Sequence, residues 1–92
     1  MAYAFEWDYT KAKAIERKHG VSFSEASTAF GDPLGLLFDD LDHSADEARY
    51  LLLATSSRGR LLVVAFAERP PWTRLVSARL ATRHERRSYE EG

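Results

Sequence analysis

RYLLLATSSRGRLLVVAFAERPPWTRLVSARL, residues 49–80, decides the fold. Arg49 to Thr55 and Arg60 to Glu68 are apolar runs of strand length, and Ser56-Ser57-Arg58-Gly59 between them supplies serine and glycine turn chemistry. The two runs therefore predict a β-hairpin. Pro70-Pro71 makes the next turn, and Thr73 to Leu80 reads as a further strand by its alternation, although the phase slips near Ser77-Ala78. Upstream, Leu34 to Asp39 is apolar enough for a strand and leads into an acidic turn, Asp39 to Glu47, which carries five carboxylates and His43. The expected sheet is an antiparallel meander of four strands.

Outward from the meander, both flanks read as helices. Phe5-Glu6-Trp7 alternates as a short strand, and Asp8 caps a helix that runs to His19, with basic residues in its last turn and Gly20 at the left-handed stop. Ser22-Phe23-Ser24-Glu25 is a capping box with Val21 and Ala26 at the staple positions, so a second helix is expected from Phe23 to Phe30, ended by Gly31-Asp32-Pro33. Thr82-Arg83-His84-Glu85 is a second capping box, opening a short helix that holds Arg86, Arg87 and Tyr89. The class is α+β, with the N-terminal helices on one face of the sheet and the other face left as a platform. The first strand pairs at the edge or in the centre of the sheet, and both placements stay open.

At 92 residues the chain has room for one domain, spanning residues 1–92. It has no cysteine, which excludes disulfide scaffolds, thiolate zinc sites, iron–sulfur clusters and cysteine nucleophiles. The longest apolar run, Leu61 to Ala67, is far short of a bilayer span, and Met1-Ala2-Tyr3 opens no signal peptide. A cytoplasmic protein with no membrane contact is expected.

The net charge of −1 conceals a polarity: residues 1–46 carry 4 basic and 9 acidic side chains, residues 47–92 carry 9 and 5. All three lysines precede residue 20, so every basic residue from Arg49 onward is an arginine. Guanidinium binds phosphate through a planar fork and stacks on bases, so clustered arginines on the meander and last helix point to a nucleic-acid surface. Solvated arginine is the bland alternative. Glu68, closing the most apolar strand beside Arg69, is a candidate general base for a ribose 2′-hydroxyl. His43 among Asp39, Asp40, Asp42 and Asp46 invites a divalent-metal reading, but the spacing lacks the central glycine and terminal glutamate of an EF-hand, and a solvated acidic turn is the default. Phe5, Trp7, Phe23, Phe30, Tyr50, Phe66 and Trp72 are assigned mostly to the core, which leaves Tyr89 as the aromatic candidate for touching nucleic acid.

Phe5-Glu6-Trp7-Asp8, Lys18-His19-Gly20-Val21-Ser22-Phe23, Gly31-Asp32-Pro33, Asp42-His43-Ser44, Ser56-Ser57-Arg58-Gly59-Arg60-Leu61-Leu62-Val63-Val64, Ser77-Ala78-Arg79 and Ala81-Thr82-Arg83-His84-Glu85-Arg86 together resemble the BrnT toxins of bacterial type II toxin–antitoxin systems. The resemblance covers nearly the whole chain. It implies a RelE-like fold, a ribonuclease that inhibits translation without metal or other cofactor, and neutralisation by a BrnA-like ribbon-helix-helix antitoxin. Because such antitoxins are dimers, it also implies a 2:2 complex that reaches promoter DNA only through the antitoxin. Carried onto this chain, the family's catalytic positions fall on Arg49, Arg58 or Arg60, Glu68 and Arg79, with Arg83, Glu85 and Arg86 on the closing helix; the candidate RNA contacts there are Arg83, Arg86, Arg87 and Tyr89. The alternative is a module of the same fold that binds RNA or protein without cutting.

Overall fold

The computed structural model describes residues 4–43 and 47–92; Met1-Ala2-Tyr3, on which the signal-peptide reading falls, and Ser44, Ala45 and Asp46 of the acidic turn lie outside the described residues. In chain order the elements are β1 (Phe5–Glu6), α1 (Tyr9–His19), α2 (Phe23–Thr28), β2 (Leu36–Asp39), β3 (Arg49–Thr55), β4 (Leu61–Arg69), β5 (Trp72–Leu80) and α3 (Arg83–Glu91). Short 3-10 turns lie at Ala29–Gly31 and Leu41–His43.

The expected meander is present, with β2, β3, β4 and β5 paired antiparallel in that order. The sheet is nevertheless mixed rather than wholly antiparallel, because β1 adds to its edge parallel to β5 and gives the order β1-β5-β4-β3-β2. Parity explains this: β2 runs opposite to β1, and the three reversals that follow return the chain at β5 in the direction of β1.

The phase slip near Ser77 is a β-bulge. Ala65 pairs with Ser77 and Phe66 with Leu75, which leaves Val76 without a partner position. One inserted residue moves the inward set from Thr73 and Leu75 to Ala78, all three buried.

Local chemistry sets the helix ends. Asp8 accepts the Lys11 amide at 3.0 Å, and Gly20, at φ 73°, returns its N–H to the Glu16 carbonyl at 2.8 Å. α2 stops at Thr28 rather than Phe30, where the chain tightens into a 3-10 turn. β2 starts at Leu36 rather than Leu34 because Asp32 captures the intervening amides: its Oδ1 accepts Leu34 N–H at 2.9 Å and its carbonyl accepts Gly35 N–H at 3.1 Å.

Alternation divides the sheet into two faces. On one, Ala12, Val21, Phe23, Ala26 and Ala29 of the helical segment pack with Ala54, Leu62, Val64, Phe66, Leu75 and Ala78 of the strands. Edge-to-face contacts at ring-centroid distances of 5.0 Å run from Phe5 to Phe30 and from Phe30 to Phe66, so these aromatics belong to the core as expected. On the other face Leu53, Leu61 and Val63 form a smaller cluster, covered by Ala81, Tyr89, Leu36 and Leu51. α3 thus covers only the hairpin end of this second face. No helix among the described residues is long and apolar enough to cross a membrane.

Candidate functional site

Beyond Tyr89 the second face is open, and strand register arranges its side chains in rows. Arg49, Ala67, Arg74 and Glu6 are successive pairing partners across β3, β4, β5 and β1. Directly paired residues project from the same side, so Arg49 and Arg74 flank the fully buried Ala67 with Cα atoms about 10 Å apart, two strand spacings. The adjoining row is Phe38, Leu51, Ala65 and Ser77. Small residues at 65, 67 and 77 keep the floor low. A groove of about 470 Å³ runs here, floored by Ala65 and Ser77 and walled by Arg49, Leu51, Val76, Lys11, Asp40 and Asp42. The Asp40 amide donates to the Arg49 carbonyl at 2.9 Å, which ties that carboxylate's backbone to the strand.

Glu47 crosses this end of the face, 2.8 Å from the Arg69 Nε and 3.6 Å from an Arg49 guanidinium nitrogen. The bond to Arg69 holds the Glu47 carboxyl below the usual carboxylate range, against the opposing pull of burial. Arg74 lies 3.7 Å from Glu6. The row is thus cationic and rimmed by carboxylates.

The five catalytic candidates do not converge. Arg49 and the hairpin loop holding Arg58 and Arg60 lie at opposite ends of β3, about 20 Å apart over six residue steps. Glu68 pairs with Thr73 and follows the inward set of β4, whereas Arg79 pairs with Val63 on the second face. Base and phosphate ligand would project from opposite sides of the sheet, so Glu68 and Arg79 are not brought together.

Arg60 and Arg79 are each held by a glutamate. Arg60 forks onto Glu25, donating through Nε to Oε2 at 2.9 Å and through Nη2 to Oε1, and also reaches the Gly20 carbonyl at 3.0 Å. The Glu25 side chain is only 3% exposed and accepts the Ser56 hydroxyl at 2.7 Å as well. The Arg60 bond keeps its pKa low despite burial. Arg58 lies 3.7 Å from the same carboxylate but is 70% exposed. Arg79 binds Glu85 through both terminal nitrogens at 2.8 Å, and chiefly for that reason the Glu85 carboxyl is lowered to about 2.

Tyr89, expected at an RNA surface, turns inward instead. Its hydroxyl donates to Asp32 Oδ2 at 2.6 Å and accepts from Thr55 Oγ1 at 3.2 Å, so its tip is a latch between α3 and the sheet. Hydrogen bonding to Asp32 raises the phenol pKa. Arg83, Arg86 and Arg87 are exposed on α3. Trp72, assigned with the core aromatics, is 46% exposed.

Sequence reasoning counted Arg74 in the arginine cluster and Asp40 in the acidic turn but took neither, nor Lys11, as a catalytic candidate. The signal for Arg74 was its place in the alternation of Thr73 to Leu80; what periodicity alone does not give is the register that sets it across Ala67 from Arg49. Lys11, on the N-terminal helix, left no such trace. The metal reading of the acidic turn rests partly on Asp46, outside the described residues; among the described residues no group of three or more His, Asp or Glu is placed to hold a metal ion.

Comparison with known proteins adds one match. The family model described as a ribonuclease toxin, BrnT, of type II toxin–antitoxin systems aligns with residues 7–85. No curated protein matches the chain.

Proposed function

From the premise that the chain belongs to the BrnT family of ribonuclease toxins of type II toxin–antitoxin systems, we propose that it cuts RNA on the open face of its sheet, without a metal ion, and so inhibits translation. The observation that carries this is the row Arg49–Ala67–Arg74 beside the groove. Two guanidinium groups about 10 Å apart at their Cα atoms converge on a phosphate through their long side chains and stabilise the extra negative charge of the transition state.

In the proposed reaction the ribose 2′-oxygen attacks the adjacent phosphorus, Asp40 in the groove wall takes the 2′-hydroxyl proton, and the phosphorus–O5′ bond breaks. The leaving O5′ takes a proton from water, Asp40 later releases its own to solvent, and the products are a 2′,3′-cyclic phosphate and a 5′-hydroxyl end. Asp40 replaces Glu68 as base because it shares the groove with Arg49. Arg58 on its loop and Arg83, Arg86 and Arg87 on α3 extend the contact with the RNA backbone. The RelE-like assignment is supported by the α+β order and the five-strand sheet.

Membership of a toxin–antitoxin family brings an antitoxin, which we take to be a BrnA-like ribbon-helix-helix dimer holding two copies of this chain. Exposed Leu34, Leu37, Phe38 and Leu41, along and beside the edge strand β2, support a protein partner that covers them.

The decisive experiment is cleavage of single-stranded RNA by the purified chain in EDTA. Activity should persist, leave cyclic phosphate ends, and fall about 10²-fold in Arg49→Ala or Arg74→Ala. Loss of cleavage in EDTA with recovery in magnesium would refute the metal-free mechanism.

A further inference from the structure

Trp72 is the first residue of β5 and pairs with Arg69 at the end of β4. Two residues on, Arg74 projects from the same side of the strand, in the row that Arg49 completes. A large indole is therefore left 46% exposed on the open face, on the same side as its cross-strand partner Arg69, which binds Glu47, and Arg74, which lies 3.7 Å from Glu6. The setting separates it from the apolar edge at β2, since β3 and β4 intervene. A patch made for a protein partner joins apolar neighbours; this indole is flanked across and along the strands by arginines, each with a carboxylate beside it, Glu47 at Arg69 and Glu6 at Arg74. The ligand that matches an aromatic plane beside fixed positive charge is a nucleotide, which offers a base to stack and a phosphate to bind.

We propose that Trp72 is a stacking platform for one unpaired base of the RNA, next to the phosphate held by Arg74 and Arg49. This rests on the reading of the open face as the RNA site and specifies what that site selects. Trp72 and Arg74 are about 7 Å apart along the strand, the scale of one nucleotide. Stacking requires the base to leave any helix, so the platform selects single-stranded RNA and refuses duplex. It is indifferent to base identity as far as the ring face is concerned, because every base has one.

Trp72 can report its own occupancy. The other tryptophan, Trp7, packs edge-on against Phe23 at 5.9 Å in the core. Titration of the full chain with a 2′-O-methyl single-stranded oligonucleotide, which cannot undergo the cleavage, should quench the exposed indole's fluorescence. In parallel, anisotropy of the same labelled oligonucleotide gives its affinity. Trp72→Ala should bind about ten-fold more weakly, with an unchanged melting temperature and circular dichroism spectrum. Trp72→Phe should keep most of the affinity while losing the quench, and an abasic site placed at the stacked position should erase the difference between wild type and Trp72→Ala. Binding without quenching, or equal affinities in wild type and Trp72→Ala, would overturn the platform while leaving RNA cleavage on this face intact. Failure of the wild type to bind any oligonucleotide would overturn both readings. A Trp72→Ala chain that binds RNA normally but loses its antitoxin would assign the indole to the protein partner and refute the proposal.

Discussion

Two helices of this chain begin with the same four-residue signature, and they use it differently. In Thr82-Arg83-His84-Glu85 the box closes on itself: Thr82 accepts the Glu85 amide at 3.1 Å and Glu85 accepts the Thr82 amide at 2.8 Å. In Ser22-Phe23-Ser24-Glu25 only the serine half forms, with the Glu25 amide donating to Ser22 at 3.0 Å. The Glu25 carboxylate is committed instead to Arg60 and Ser56 of the hairpin, more than thirty residues away. Burial decides between the two outcomes. Glu85 sits at a half-exposed helix start, where the local amide and Arg79 both reach it, whereas Glu25 is pressed into the seam between α2 and the hairpin. A carboxylate there must take every strong donor within reach. In each case the glutamate holds an arginine that looked catalytic in the sequence, so an arginine count overstates the cations available to a substrate.

The contrast is broken most severely by Glu25→Ala. It strips the acceptor from Ser56 and Arg60 in the buried seam, and because Arg60 retains partial access to water the loss should be about 3 kcal/mol, at the low end for a broken buried pair. For a domain of this size that corresponds to a melting temperature lower by roughly 12–24 °C in calorimetry or a thermal circular dichroism scan.

Glu85→Gln should cost less, about 1 kcal/mol in urea unfolding, since α3 keeps Thr82 as its cap and Arg79 can turn to solvent. The pH dependence sharpens the comparison. With its folded pKa lowered to about 2 from an ordinary 4.5, Glu85 contributes stability that is present above pH 4.5 and lost as the pH falls toward 2. Glu25 is shifted in the same direction, so its contribution disappears on the same acid side. The slope of unfolding free energy against pH should therefore flatten over this range in Glu85→Gln and in a matching Glu25→Gln.

Arg79→Lys is a milder change, which keeps the charge and removes the fork. It should lose no more than about 1 kcal/mol of stability and leave RNA cleavage within two- to three-fold of wild type, against the large loss expected at Arg49. A cleavage defect in Arg79→Lys comparable with that of Arg49→Ala would move the reaction to the α3 end of the sheet. The smallest effect should come from Tyr89→Phe, which removes one hydroxyl from the Asp32–Thr55 latch and costs about 0.5 kcal/mol, the low end for one hydrogen bond, by chemical denaturation.

Much of the architecture was legible because it is written in local pattern. The hairpin from Arg49 to Glu68, the caps at Asp8, Ser22 and Thr82, and the stop at Gly20 each depend on neighbours within a few residues. Even the phase slip near Ser77 was visible, although its meaning as a bulge required the partner strand. What stayed hidden depends on pairing across long separations. The parallel docking of β1, the capture of Arg60 by Glu25, and the register that sets Arg49 beside Arg74 have no periodicity of their own. Tyr89 turns inward and Trp72 is exposed, each against expectation, for a related reason. An aromatic's type says that it wants a partner, and only the packed sheet determines whether that partner is a half-buried aspartate of the same chain or something arriving from solvent.

The parallel strand at the edge also orders events in time. Phe5 pairs with Thr73 and Glu6 with Arg74, which closes a loop over 68 of the 92 residues. Closure of so long a loop adds only logarithmically to the entropy lost, but it is the slowest kind of contact to find. During synthesis the meander strands from β2 to β4 can pair as they emerge, while Glu6 waits for Arg74 to be made. The cationic row is therefore among the last features of the molecule to be completed, and an unfinished chain carries the scaffold of the toxin without its full charge arrangement.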